Sequence, residues 1–256
     1  MPEPAAGRPS FDAFADRYEG IHNQHLPFGV TSDSFLQQKL QFLETWVQRY
    51  LTAFRPLRLL DFGCGTGRLM QRLLDRPWCG TITGVDPSRE SLATAGAMLP
   101  QAGDRLQLQP SLASLAPSAR FHLILALNVL HHIRPDERPA TLTQLEQRLT
   151  DNGLLVIWEH NPFNPFTRRQ IAVCPFDEDA VLVSQGRLRR QVTDASLTCL
   201  EQAYINITPP AWHRIRVVES LEKGLGGLPL GTQYYLVTTR ARRVQNQSSE
   251  REINLP

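Results

Sequence analysis

Residues 60–69 read Leu-Asp-Phe-Gly-Cys-Gly-Thr-Gly-Arg-Leu, and their reading decides the fold. The apolar run LRLLDF at 57–62 predicts a strand and RLMQRLLDR at 68–76 predicts a helix, which leaves Gly63, Gly65 and Gly67 in the turn between them. Glycines at alternate positions let the backbone turn sharply and approach a ligand without side-chain clash. The helix that follows offers unpaired N–H groups and the positive end of its dipole. By itself such a turn fits several nucleotide-binding sheets, the dinucleotide dehydrogenases included.

Working outward, TITGVD (81–86), RLQLQ (105–109), FHLILAL (121–127) and LLVIWEH (154–160) read as strands. SRESLATAGAML (88–99) and PDERPATLTQLEQRLT (135–150) read as the helices between them, the second closed by the turn Asp151-Asn152-Gly153. This alternation predicts βαβ units in an α/β fold, with a mostly parallel sheet and helices on both faces. After His160 the rhythm breaks, and residues 161–190, with Pro162, Pro165 and Pro175, read as a loop or cap inserted late in the sheet. SLTCLEQAYINI (196–207) then reads as a strand, WHRIRVVESLEKGL (212–225) as a helix and QYYLVTTRA (233–241) as a final strand.

Upstream, Phe35, Leu36, Leu40, Leu43, Val47 and Leu51 recur at helical spacing over 33–54, with Asp33 or Ser34 as the cap. FDAFADRY in 10–30 reads as a short helical piece before a polar loop, so 10–54 forms N-terminal helices ahead of a 55–240 domain. Residues 1–9 are expected to be disordered and 241–256 to form a flexible tail.

The chain has 256 residues, 41% hydrophobic and 20% charged, as globular proteins have. A formal net charge of +2 supplies no strong field for nucleic acid or an anionic membrane. The basic clusters Arg187, Arg189, Arg190 and Arg240, Arg242, Arg243 read as solvated faces. Cys64, Cys79, Cys174 and Cys199 have no metal-ligand or redox spacing, which suits a reducing, cytoplasmic compartment. The N-terminus lacks a signal-peptide pattern, and no apolar stretch approaches the roughly 20 residues of a bilayer span.

Three details refine the ligand. The third glycine comes one residue earlier than in the dehydrogenase fingerprint, giving Gly-x-Gly-x-Gly. Asp61 precedes the glycines; it would repel a pyrophosphate but can face an ammonium group directly or through water. Asp86 closes the next strand 19 residues after Gly67, where an acid can accept hydrogen bonds from two ribose hydroxyls. The last feature is shared with NAD enzymes.

These residues closely resemble the first motif and following acidic position of class I, Rossmann-like methyltransferases dependent on S-adenosylmethionine. The resemblance implies that Asp61, Gly63, Cys64, Gly65 and Gly67 line the methionine end of that cofactor and that Asp86, followed by Pro87, binds the ribose. It places Ser111 or Leu112 near the adenine; the acid common at that position is missing from QPSLASLAPSAR. Leu127, Asn128 and Val129 fall near the methionine moiety, and Tyr18 near its carboxylate. Further along, NPFNP and CPFDEDAV (161–181), with LPLGTQYYLV (228–237), resemble a bacterial subgroup of the same class.

His131 and His132 follow the fourth strand at the carboxyl edge of the sheet, and either can serve as a general base near neutral pH. The alternative is that one caps or packs beneath the next helix. Glu159, His160, Asn161, Arg168 and Arg169 sit where a strand exits toward an acceptor pocket, and the same resemblance implies an antiparallel last strand and an N-terminal lid that carries His22, His25 and Phe28 above that pocket. The expected reaction is methyl transfer to a small-molecule acceptor, with no metal because no ligand cluster is spaced for one. The rivals are an NAD-dependent oxidoreductase, a non-catalytic S-adenosylmethionine-binding partner subunit and a nucleic-acid methyltransferase. The last lacks its Asn/Asp-Pro-Pro-Tyr/Phe signature after the fourth strand.

Overall fold

A computed structural model describes residues 31–174, 177–208, 220, 222 and 224–241. The lid with Tyr18, His22, His25 and Phe28, the tail from 242 and most of the 212–225 segment lie outside the described residues.

The elements in chain order are α1 (Ser32–Tyr50), β1 (Leu57–Phe62), α2 (Arg68–Leu74), β2 (Cys79–Val85), α3 (Arg89–Met98), β3 (Leu106–Gln109), β4 (Phe121–Leu127), α4 (Arg138–Gln147), β5 (Leu149–His160), α5 (Pro165–Val173), α6 (Gln185–Asp194), β6 (Leu197–Ile205) and β7 (Gln233–Arg240). The seven strands form one sheet in the order β3-β2-β1-β4-β5-β7-β6. The pairs among β1–β5 are parallel, and β7 runs antiparallel between β5 and β6. The predicted α/β sheet with an antiparallel last strand is therefore the observed one.

Strand alternation divides the core in two. Leu57, Leu59, Leu123, Leu125, Val156 and Trp158 pack with Leu40, Leu43 and Trp46 of α1 and Met70 and Leu73 of α2. Their neighbours Leu60, Ile124, Ala126, Leu155 and Ile157 pack the other way, against Leu142 and Leu145 of α4 and Leu188 and Val192 of α6. Because every second residue of a strand faces the opposite side, a continuous apolar run is what a strand covered on both faces requires.

Four local readings change. The α1 cap is Thr31, whose side chain accepts from Ser34 N at 3.3 Å while Ser34 Oγ accepts from Thr31 N at 3.2 Å. Ser34 is thus the return half of a capping box. The helix stops at Tyr50 and a single 3₁₀ turn spans Thr52–Phe54; Pro56 forces the residue before it into an extended conformation. Strand β5 starts at Leu149, and the Asp151-Asn152-Gly153 turn is a bulge within it, where pairing slips from Phe121–Leu149 to Leu123–Leu154. A Cβ at Gly153 would lie 2.9 Å from the Phe121 carbonyl, so only glycine fits there. Residues 161–190, read as one loop or cap, hold two helices. Asn164 caps α5 by accepting from Phe166 and Thr167 N, and Ser184 caps α6, whose Leu188 and Val192, four residues apart, bury one face.

Helix α1 is tied to the far strands by a buried amide chain. Gln38 donates to Asn206 at 2.7 Å, Asn206 to Gln233 at 3.1 Å, and the Trp158 indole to the same Gln233 oxygen at 2.9 Å. Glu201 of β6 accepts from Trp46 at 3.1 Å and Tyr50 at 2.7 Å and pairs with Arg49.

Ile124 is fully buried in β4 and Leu200 is 41% exposed on β6. Ile124→Ala is expected to cost about 2–5 kcal/mol in urea unfolding, and Leu200→Ala to stay within about 0.5 kcal/mol. Equal losses at the two positions would contradict the two-faced core.

Candidate functional site

The exit of β1 is fastened to β2 through its backbone. The amides of Gly63 and Cys64 donate to the Val85 carbonyl at 2.7 and 3.1 Å. Gly65 N donates to Asp86 Oδ2 at 2.9 Å, and Asp86 Oδ1 accepts from Ser88 N at 2.9 Å. Gly63, Gly65 and Gly67 have φ of 79°, 51° and 85°. A Cβ at Gly63 would lie 2.3 Å from Val129 Cγ2 and one at Gly67 2.9 Å from Ala95 Cβ, whereas one at Gly65 would meet nothing within 4 Å among the described residues. Two of the glycines are demanded by packing; the middle one borders open space. The Cys64 thiol is buried where a Cβ on Gly84 would reach it at 2.8 Å. Burial and then the Asp61 charge hold it above the usual thiol range, so Cys64 is a packed filler.

Opposed charges gather beside this turn. Burial and then the Asp86 charge raise the Asp61 carboxyl to about 7, against the pull of Lys39. Lys39 on α1 is lowered by burial to about 8, opposed by Glu159 and Asp61. Its Nζ donates to Asn128 Oδ1 at 2.6 Å and lies 5.8 Å from the Trp158 ring centre. Asn128 is left-handed at φ 60°, and its buried Nδ2 has no hydrogen-bond partner among the described residues. Lys39 escaped the sequence reading as one polar residue on an amphipathic helix. The available signal was its rarity, since the chain has only two lysines, 39 and 223.

The two histidines after β4 differ in role. The Glu159 carboxylate, 1% exposed, accepts from Val129 N at 3.1 Å, Leu130 N at 2.7 Å and His131 Nδ1 at 2.6 Å. His131 Nε2 lies 3.5 Å from Asp177 Oδ1. Burial alone would lower His131, but Glu159 and Asp177 raise it to about 9. His132, about a quarter exposed, is lowered by burial and the His131 charge to about 4, and its Nε2 also lies 3.5 Å from Asp177 Oδ1. His160 is lowered to about 3 by the same two causes, and its ring meets that of His131 edge-on with centres 5.2 Å apart. Burial opposes the Asp177 charge, yet His131 holds that carboxyl at about 2. Asp177 had no sequence signal, because only the fold brings it to the histidine pair.

The remaining candidates divide. Leu127 and Val129 are half-buried beside the turn. Pro87 and Ser111 are exposed, Ser111 Oγ lying 3.0 Å from Ser114 Oγ, and Leu112 is buried at the start of a 3₁₀ turn. Asn161 is fully buried: its Nδ2 donates to the carbonyls of Pro229 and Gly231 at 3.0 and 2.7 Å and its Oδ1 accepts from Phe163 N at 3.1 Å. With Asn164, which donates to the Leu230 carbonyl at 2.7 Å, it clamps the 229–231 segment, so these asparagines order loops. Arg168 and Arg169 are exposed on α5. Arg168 lines a cavity of about 470 Å³ together with Ile171, Ala172, Cys174, Asp177 and Leu182. No helix among the described residues is long and apolar enough to cross a membrane.

A family profile described as a methyltransferase domain matches residues 33–202. A ubiquinone biosynthesis O-methyltransferase of Caulobacter sp. (strain K31) is 33% identical over 110 residues, 41% of this chain and 42% of that protein. An indolepyruvate C-methyltransferase of Streptomyces griseus is 26% identical over 206 residues, 75% of this chain and 60% of that one. A tRNA U34 carboxymethyltransferase of Shewanella frigidimarina (strain NCIMB 400) is 30% identical over 145 residues, 55% and 39% of the two. The chain thus spans less than two thirds of the length of these curated relatives. An S-adenosylmethionine-dependent methyltransferase structure from Clostridium acetobutylicum ATCC 824 shares the fold, with a TM-score of 0.63 at 13% identity over 90% of this chain and 99% of that one.

A carboxyl held at about 7 against an ordinary 3.8 ionises later in the folded chain than in the unfolded one. The folded state then binds the extra proton between about pH 4 and 7, and stability falls as pH rises through that window, by a few kcal/mol at most. Asp61→Asn removes the loss. Its melting temperature is expected to match wild type near pH 4 and exceed it at pH 8. An advantage that does not grow with pH would refute the assignment.

Proposed function

The chain belongs to the methyltransferase-domain family, and from that premise we propose that it transfers a methyl group from S-adenosylmethionine to a small-molecule acceptor. The observation that carries this reading is the β1 exit: Gly65, left-handed and bordering open space, with the buried carboxylates Asp61 and Asp86 beside it and Lys39 and Asn128 close to Asp61. These groups fit a ligand that carries an ammonium, a carboxylate and a ribose. Asp61 is suited to the ammonium, Lys39 and the unpartnered Asn128 amide to the carboxylate, and Asp86 to the ribose hydroxyls. A carboxylate can accept about four hydrogen bonds, which lets Asp86 hold the turn and a ribose together. Leu127 and Val129 wall the methionine end, and Pro87, Ser111 and Leu112 border the adenine.

When bound, the cofactor supplies an electrophilic methyl group on a leaving group that departs as a neutral thioether. The protein then chiefly has to align an acceptor and exclude water. His132 is the better proton acceptor, because it is neutral near pH 7 while His131 is held charged by two carboxylates. His131 acts on this view as a positioning residue, fixed by Glu159. The cavity at Arg168, where Asp177 and Glu178 stand beside the apolar Ile171, Ala172 and Leu182, suits a small, partly apolar acceptor with a polar group. The net charge of +2 gives no electrostatic footprint for nucleic acid. Four free cysteines accord with a reducing compartment such as the cytoplasm.

The test is isothermal titration with S-adenosylhomocysteine. Wild type is expected to bind at micromolar concentration or tighter, and Asp86→Ala about ten- to a hundredfold more weakly, the worth of hydrogen bonds to a charged acceptor. Failure of folded wild type to bind would overturn the cofactor reading. Binding with no turnover across an acceptor screen would instead favour a non-catalytic partner subunit.

A further inference from the structure

We propose that His131, His132 and Asp177 form a binding site for one divalent transition-metal ion at the edge of the acceptor cavity. The acceptor role given to this ion rests on the methyl-transfer reading; the metal site itself does not. Each of the three residues offers one ligand atom within 4.8 Å of the other two, and Asp177 Oδ1 is 3.5 Å from His131 Nε2 and from His132 Nε2. Ligand atoms about 2.1 Å from a tetrahedral ion are themselves about 3.4 Å apart. The spacing therefore needs little adjustment to close on an ion.

Behind the ligands stands the support that metal-binding histidines usually have. His131 Nδ1 is engaged by the buried Glu159 carboxylate at 2.6 Å, which fixes the ring and aims Nε2 at Asp177. A carboxylate on the far nitrogen of a ligating histidine sets its tautomer and strengthens it as a ligand. The segment carrying Asp177 is anchored to the same turn, because Val181 N donates to the His131 carbonyl at 2.8 Å and Arg138 bonds the Val181 carbonyl. Asp177 N donates to the Cys174 carbonyl at 3.1 Å, and the Cys174 thiol bonds the Asp177 side chain. Charge also balances: with neutral imidazoles, one divalent ion offsets Asp177 and Glu159.

Two imidazoles and one carboxylate leave coordination positions open, the pattern of ions that act on a bound molecule. Of the three ligands, Asp177 also lines the cavity of about 470 Å³ with Arg168 and Ile171, which puts the ion beside that space. The acceptor class this favours carries an ionisable oxygen, a phenol, enol or hydroxy acid. With the ion bound, His132 is a ligand and no longer the proton acceptor: the ion draws that oxygen into place and lowers its pKa, and the proton leaves to water. As the oxygen's electron pair forms the bond to the methyl carbon, the carbon–sulfur pair stays on sulfur.

Tag-free, full-length protein stripped with a chelator is titrated with Co²⁺ and followed by visible absorption. One equivalent is expected to bind with the intense d–d bands of a four- or five-coordinate site, and azide to shift them by taking the open position. Asp177→Asn and His132→Ala, each confirmed folded by circular dichroism, are expected to weaken Co²⁺ by more than about tenfold. No saturable binding by wild type, or unchanged affinity in both variants, overturns the site; insensitivity to azide overturns its open position. S-adenosylhomocysteine affinity of wild type, measured separately, tells failure of the methyl-transfer reading apart from failure of this one.

Discussion

The geometry of the site depends on one buried carboxylate. Glu159, at the end of β5, satisfies two amides and a ring nitrogen of the chain leaving β4. A lone charge at that depth would be costly, and it persists because each oxygen is claimed by donors. The same bonds hold Val129 against Gly63 and aim His131 outward. The glycine turn and the histidine pair, 64 to 69 residues apart along the chain, are thereby set by a single side chain that touches the second directly and the first through Val129.

Around that anchor the molecule tolerates charges that do not favour its own folding. Asp61 is pressed toward neutrality by burial, and Lys39 is drawn well below an ordinary lysine. Each offsets part of the other's desolvation. Such local conflict is commonly found where a ligand completes the balance.

The sheet was legible because its signals are local. LRLLDF and FHLILAL are apolar on both strand faces, and three glycines at alternate positions mark one turn. The final strand's antiparallel course followed from family resemblance, not from QYYLVTTRA itself. What stayed hidden depends on contacts distant in sequence. Asp177 sits in an acidic run indistinguishable from a solvated loop until Val181 is seen bonded to His131. Lys39 looks like any polar face of a helix until α1 is laid over Trp158. Asn161 misled in the other direction: its place after a strand suggested a pocket, yet its amide is spent on the carbonyls of Pro229 and Gly231. Helix α6 was missed because its apolar face is only Leu188 and Val192 amid arginines.

The placement of β7 between β5 and β6 bears on how the chain assembles as it is made. Strands β1 to β5 find all their parallel partners within the first 160 residues and can join while synthesis continues. Among the described residues β6 has only β7 for a neighbour, so it lacks a partner until residues 233–240 emerge. Until then the Gln38–Asn206–Gln233 chain is open as well, and α1 lacks its tie to the far side of the sheet. The last of the described strands is therefore the keystone, because its pairing covers the β5 edge and joins β6 to the sheet.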